Sequence, residues 1–370
     1  MKILYVITST EIGGAEKVLQ ELALETFRQN HQVRVLCINP LGAIATQLHQ
    51  AGIEVITVFH KLPGKIIQKI RKEILSFQPD IVHAMLFRAI EYTRLACAKL
   101  DIKIVSTPHF DLSKKSFFFR LADKVLKDKD TLTIAESYST ARYLIERQGY
   151  AKDKVYLLPN SVDPARFFKD SALRQQMRKQ YGFHVKTVVF VSVARLAKVK
   201  DPFSLLQAFE QVYARNPEIR LVYVGDGEER AKLEKYIQEK HLSEVVFLEG
   251  ERADINAFLN MADVFVLPSI EESLPLALLE AIQVGLPCIV SKAGDMPILV
   301  EHGVNGFVCT PRDVTLLSCF ISLLTAEEKT RQEMGKKSLE KASNQMGHMK
   351  QYQQIYEQLI TNSFHVKTNQ

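Results

Sequence analysis

The sequence predicts an α/β protein made of two doubly wound parallel sheets, and three observations carry that prediction. Short runs rich in Val and Ile alternate with helix-period segments through the first half of the chain. The same alternation starts afresh after a polar, basic stretch near residues 160–185. At 370 residues the chain is also longer than one hydrophobic core usually supports. Alternation of this kind gives parallel strands with helices on both faces, because each parallel crossover needs a helix-length connection.

Taken in order, KILYVITS, VRVLCIN, IEVITVF, DIVHAML, KIVSTPH, TLTIAES and KVYLLPN read as the strands of the first sheet. AEKVLQELALETFRQN and GKIIQKIRKEILSF carry helical period between them. The second sheet reads as TVVFVSVARL, IRLVYVGDG, VVFLEG, DVFVLPS, PCIVSK and GFVCT. Its crossovers are PFSLLQAFEQVYARN, EERAKLEKYIQEK, INAFLNMA and LALLEAIQVG. The predicted domains are residues 1–165 and 166–345, followed by a C-terminal helix within 346–370 that packs back on the first domain and ends in a frayed tail. Ligands of doubly wound sheets sit beyond the carboxyl ends of the strands, so two such domains are expected to face each other across a cleft with room for two substrates.

Composition sets the limits. Hydrophobic residues at 46% and charged residues at 24% match an average globular chain and exclude collagen-like, disulfide-scaffold and wholly disordered classes. The opening MKILYVITST is too short an apolar run to span a bilayer and lacks a cleavage-type end, so it reads as a buried strand of a cytoplasmic protein. Cys37, Cys97, Cys288, Cys309 and Cys319 show no paired spacing, which points to neither zinc nor disulfides. The net charge of +6 is uneven: residues 1–180 hold 28 Lys and Arg against 18 Asp and Glu, hence +10, and residues 181–370 hold 20 against 24, hence −4. An anionic partner of the first half and a merely solvated basic face both fit that balance.

Several groups stand where cleft residues come from. Gly13 and Gly14 in EIGGAE, with Glu16, follow the first strand and open the first helix, where paired glycines admit close backbone approach and free amides suit an anion. The G-x-G-x-x-G spacing of a dinucleotide site is absent, and taken alone a Gly-Gly pair at a turn is more often structural. Arg195 and Lys200 in ARLAKVKD could converge on one pyrophosphate, the guanidinium as a fork of donors and the ammonium as a point charge, or both could simply be solvated. In PSIEESLPLALLEA a strand ends at Pro268, Ser273 can cap, and Pro275 suits a first turn, so a helix is expected to begin near Leu274. Glu272 then precedes that helix and Glu280 lies along it, at a separation that lets one carboxylate reach a sugar and the other a ribose. His83 and His109 are read at ends of first-half strands, with Asn160 in the closing LPNSVD turn; no second His stands at ligand spacing, so no metal is expected.

The order Gly13-Gly14, His109, LPNSVD with Phe167, ARLAKVK, LVYVGDGEERAKLE, the Glu-x7-Glu of Glu272 and Glu280, and GVNGF resembles family 4 of the GT-B glycosyltransferases over residues 1–345. The resemblance implies the GT-B fold, with the acceptor bound mainly by the first domain and the nucleotide-sugar donor mainly by the second. It implies a metal-independent transfer that retains anomeric configuration and needs no cofactor. It makes Arg195 and Lys200 the diphosphate clamp, Glu272 a contact to the donor sugar, Glu280 a contact to the ribose, and His109 a hydrogen-bonding group at the reacting centre. Gly13, Gly14, Ser273 and Leu274 join the donor site, while Glu16, His83 and Asn160 are expected along the cleft. Departures are Ser161, Asp201 and Ser273, each where the pattern often has Gly, and Ile298 where it often has Glu.

The first half further holds KLPGKIIQKIRK and KKSFFFR, where cations interleave with apolar side chains either as at an anionic leaflet or, for Ile66, Ile67 and Ile70, as a core-facing stripe beside solvated lysines. The implied partners are therefore a nucleotide-sugar donor, probed first as a UDP-sugar, a glycan or lipid-linked acceptor, and peripheral contact with the inner face of the cytoplasmic membrane. No nucleic-acid motif is present. Two other readings stay open at this stage: a non-catalytic nucleotide-sugar-binding subunit of an active transferase, and a sugar-nucleotide 2-epimerase of the same fold.

Overall fold

The computed structural model describes residues 1–109, 116–342, 348–361 and 363. Lys114 and Lys115 of the basic-aromatic run lie outside these residues, as do residues 364–370 of the tail expected to fray. The chain divides into two compact units, Met1–Asn160 with Gly347–Gln370, and Ser161–Met346.

In the first unit the strands are β1 Lys2–Ile7, β2 Gln32–Cys37, β3 Glu54–Thr57, β4 Ile81–Met85, β5 Lys103–Thr107, β6 Leu132–Ala135 and β7 Val155–Leu157. They form one parallel sheet in the order β3-β2-β1-β4-β5-β6-β7. The second unit contains β8 Val188–Val193, β9 Ile219–Val224, β10 Val246–Leu248, β11 Val264–Leu267, β12 Cys288–Ser291 and β13 Gly306–Cys309. Its order, β10-β9-β8-β11-β12-β13, repeats the same winding, outward in one direction from the first strand and then outward in the other.

Both faces of each sheet are covered, which is why the strands read as unbroken apolar runs. Along β8, Val189, Val191 and Val193 enter one core while Val188 and Phe190 enter the other. Leu4 and Val6 of β1 pack with Leu36, Val82 and the isoleucines Ile66, Ile70 and Ile74 of helix Pro63–Phe77. Each such fully buried side chain contributes roughly 1.5–3 kcal/mol. The opposite face of the first sheet is more polar. There Tyr5 lies beside His83, and helix His348–Ile360 covers them.

That helix belongs to the first unit through side-chain bonds as well as packing. Gln353 Nε2 donates to Thr26 Oγ1 at 2.8 Å, and Lys103 Nζ donates to the Leu359 carbonyl. The polar stretch read as a join contains helix Ser171–Gln180, capped by the Asp170 carboxylate and held in the second unit by Arg174 and Arg178, both paired with Asp263. Among the described residues no helix is long and apolar enough to cross a membrane.

Candidate functional site

The second unit has its topological switch between β8 and β11, which are hydrogen-bonded neighbours whose continuations run to opposite edges of the sheet. The loops leaving their carboxyl ends carry the expected donor-site residues. Ile270 N–H donates to Val199 O at 2.7 Å and fastens one loop to the other. Lys200 Nζ then meets Glu272 Oε1 at 2.5 Å, and Ser269 Oγ donates to the same oxygen at 2.9 Å. The Lys200 side chain is a quarter exposed and that of Glu272 is 8% exposed, so this is a partly desolvated ion pair at the surface of the sheet end. Arg195 is exposed and, among the described residues, forms no ion pair.

Glycines set the backbone of this site. A Cβ on Gly225 would lie 2.1 Å from the Ala194 carbonyl oxygen, and one on Gly227 2.5 Å from that of Leu196. The Gly225-Asp226-Gly227 turn therefore presses against the Arg195 loop, fixed further by Leu196 N–H to Asp226 O and Glu229 N–H to Leu196 O, each at 2.9 Å. Gly294, at φ +50°, approaches the Glu272 and Ser273 carbonyls so closely that a Cβ would lie 2.3 and 2.6 Å from their oxygens. Asp201 stands at φ 49°, ψ 50°, in the left-handed region that favours glycine, which accounts for the residue frequent there in the pattern.

The helix expected to begin near Leu274 under a Ser273 cap begins at Leu276, with Pro275 in extended conformation at its N-cap and no side-chain cap. The Ser273 carbonyl accepts from Asp295 N–H at 2.9 Å, and Leu274 is drawn into the core, so tertiary contacts hold both residues in a bend ahead of the helix. Glu280 is the fifth residue of that helix, Leu276–Val284, and is buried.

In the first unit the switch lies between β1 and β4. Gly13 is the extended N-cap of helix Gly14–Arg28. A Cβ on it would lie 2.3 Å from Glu16 Oε2, so the negative group held at this helix end is the chain's own carboxylate. A Cβ on Gly14 meets nothing within 4 Å. His109 follows β5 at φ 55°, half-buried. Asn160 is buried, and its N–H donates to the Glu136 carbonyl at 3.3 Å.

His83 is not a strand-end cleft residue. It lies in the middle of β4, fully buried, with Nδ1 2.6 Å from Tyr356 Oη and Nε2 2.8 Å from Thr107 Oγ1. Burial, aided by the charge of His109, pushes its pKa down to about 3, so it is a neutral structural group that ties the C-terminal helix to the sheet.

Helix Phe117–Leu126 presents Phe117 at 64% and Phe118 at 80% exposure, with Leu121 and Val125 on the same outward side. Its inner side is fastened by Phe119 against Phe87, ring centroids 5.1 Å apart, and by Asp123, which pairs with the buried Arg94 at 2.9 Å. Arg94 also pairs with Asp130 at 2.5 Å and with Glu91 at 2.8 Å. Ser269, Gly294 and the Gly225-Asp226-Gly227 turn were not singled out as site residues from the sequence, although the glycines were visible as breaks at strand ends. Among the described residues no group of three His, Cys, Asp or Glu side chains is placed to hold a metal ion.

Two Rossmann-like parallel sheets of like winding, with the Lys200–Glu272 ion pair and the start of helix Leu276–Val284 at the switch point of the second, make up the architecture of the GT-B glycosyltransferases. Residues 12–166 match the family described as Glycosyltransferase Family 4, and residues 174–341 match Glycosyl transferases group 1. The chain belongs to glycosyltransferase family 4 of the GT-B fold. N-acetyl-alpha-D-glucosaminyl L-malate synthase of Bacillus anthracis is 25% identical over 366 residues, 93% of this chain and 94% of that protein. The UDP-Gal:alpha-D-GlcNAc-diphosphoundecaprenol alpha-1,3-galactosyltransferase of Escherichia coli is 33% identical over 207 residues, 55% of this chain and 53% of that one. Among solved structures, Anabaena HepE in complex with UDP-glucose is 26% identical, with a TM-score of 0.85 and coverage of 98% of this chain and 100% of that one.

Proposed function

We propose that this glycosyltransferase moves a hexose-type sugar from a nucleoside-diphosphate sugar, with UDP the first base to test, to a glycan or lipid-linked acceptor, retaining the anomeric configuration and using no metal. The observation that carries the reading is the meeting of Lys200 and Glu272 at the β8/β11 switch, with Arg195 on the same loop as Lys200. Departure of a nucleoside diphosphate concentrates negative charge as the sugar becomes oxocarbenium-like, so fixed cations and helix amides aimed at that phosphate lower the barrier. In this reading Arg195 and Lys200 take the diphosphate, with the amides of Ser273, Leu274 and the start of helix Leu276–Val284 beside them. Glu272 takes the sugar and Glu280 the ribose. The bond from C1 to the diphosphate oxygen breaks, the acceptor oxygen bonds to C1 on the same face, and its proton passes to the departing phosphate. His109 would hydrogen-bond the sugar or help to organise the reacting centre, and the Gly13-Gly14 loop meets donor phosphate or acceptor in the first unit.

A UDP-sugar donor is supported by HepE, solved with UDP-glucose, and by the E. coli relative, whose name pairs UDP-Gal with a diphosphoundecaprenol acceptor. The same name, together with the outward Phe117 and Phe118, supports peripheral contact with an anionic membrane. The test is release of nucleoside diphosphate from a panel of UDP- and GDP-sugars, with the product identified by mass spectrometry. Lys200→Ala is expected to lower turnover by about a hundredfold or more, as loss of a charge-stabilising donor does. Lys198→Ala, which alters an exposed neighbour, is expected to change it little. A wild-type protein that turns over no nucleotide sugar with any acceptor overturns the reading.

A further inference from the structure

Two donors share one carboxylate oxygen in the second unit, and one of them has another task. Lys200 Nζ and Ser269 Oγ both bond to Glu272 Oε1, at 2.5 and 2.9 Å, and among the described residues neither bonds to Oε2. When a donor's diphosphate arrives, its charge competes with the single carboxylate for the Lys200 ammonium. Glu272 then gives up its strongest partner at the moment it must receive the sugar.

Ser269 has no competing task. It is fully buried, its single O–H is committed to Glu272, and its own carbonyl accepts from Ser291 Oγ at the end of β12. The segment around it is pinned on both sides, by Ile270 N–H to Val199 O at 2.7 Å and by Asp295 N–H to Ser273 O at 2.9 Å. Its hydroxyl is therefore pre-aimed at Oε1 by the sheet and not by the ligand.

We propose that Ser269 is the positioning residue of Glu272: it keeps Oε1 anchored while Lys200 changes partners from carboxylate to diphosphate, leaving Oε2 for the donor sugar. This rests on the transferase reading above, and it assigns Ser269 a role carried out only through Glu272.

The test is a double-mutant cycle on Ser269→Ala and Glu272→Gln, read as kcat on the nucleotide sugar the wild type uses and as affinity for UDP alone. Ser269→Ala is expected to bind UDP within about twofold of wild type and to lose about tenfold in kcat, the loss of one charge-assisted hydrogen bond. Added to Glu272→Gln, the same change is expected to cost less than about twofold, because the partner it positions is already altered. Where the alanine variant does not fold, Ser269→Cys, slightly larger and a weaker donor, is expected to give the same pattern. Unchanged kcat in Ser269→Ala, an undiminished loss in the Glu272→Gln background, or a fall in UDP affinity matching the fall in kcat overturns the proposal. Absence of turnover in the wild type would sink the transferase reading as well, whereas turnover that is indifferent to Ser269 sinks this inference alone.

Discussion

Acidification is expected to loosen the first unit through His83. The ring is fully buried between Tyr356 and Thr107 and stays neutral down to about pH 3, against an ordinary histidine value of 6.5. Between those two values the unfolded chain binds a proton that the folded chain refuses, so stability falls as pH falls, by about 1.4 kcal/mol per pH unit for this one group. From pH 7 to pH 5 the loss amounts to about 2 kcal/mol, because the unfolded-state ring begins to protonate only near 6.5. Glutamine at this position keeps donor and acceptor atoms near both hydroxyls and does not titrate. Urea unfolding followed by far-UV circular dichroism at pH 7 and pH 5 measures the difference. Wild type should lose about 2 kcal/mol more than His83→Gln over that interval, all other titrating groups cancelling in the comparison. Equal losses in the two proteins would refute a neutral, desolvated His83.

Gly294→Ala should displace the Glu272–Ser273 backbone, since its Cβ would lie 2.3 Å from a carbonyl oxygen at φ +50°. A melting curve should show a loss of about 1–3 kcal/mol, and donor turnover should fall further than stability explains. Unaltered kinetics would show that this approach does not shape the site. Replacing Phe117 and Phe118 by Ser should leave turnover on a soluble acceptor unchanged while reducing flotation with phosphatidylglycerol vesicles at low salt by about tenfold or more, given the area each ring exposes. Flotation equal to wild type would remove this helix from any membrane contact.

The thirteen strands of the described residues were legible because sheets buried on both faces leave continuous apolar runs such as KILYVI and VVFVSV. The pairing of loops that carry Lys200 and Glu272 was legible only through a resemblance, as nothing local in either segment points to the other across 72 residues. Helix Leu276–Val284 starts two residues later than the Ser-x-Pro signal suggests, because that signal describes local preference while the bond from Asp295 N–H and the core around Leu274 hold the preceding bend in place. His83, expected at a strand end, lies in the middle of β4. Its partner Tyr356 stands 273 residues away, where no local pattern can indicate it.

The return of helix His348–Ile360 to the first sheet has a consequence for biosynthesis. Tyr356, Gln353 and the Leu359 carbonyl are translated only after the entire second unit, yet they complete the polar face around His83, Thr26 and Lys103. A nascent chain can assemble the second unit while the first still lacks a wall, with Tyr5 and His83 open to water on the ribosome. Docking of helix His348–Ile360 is thus the step that seals the part of the molecule made first.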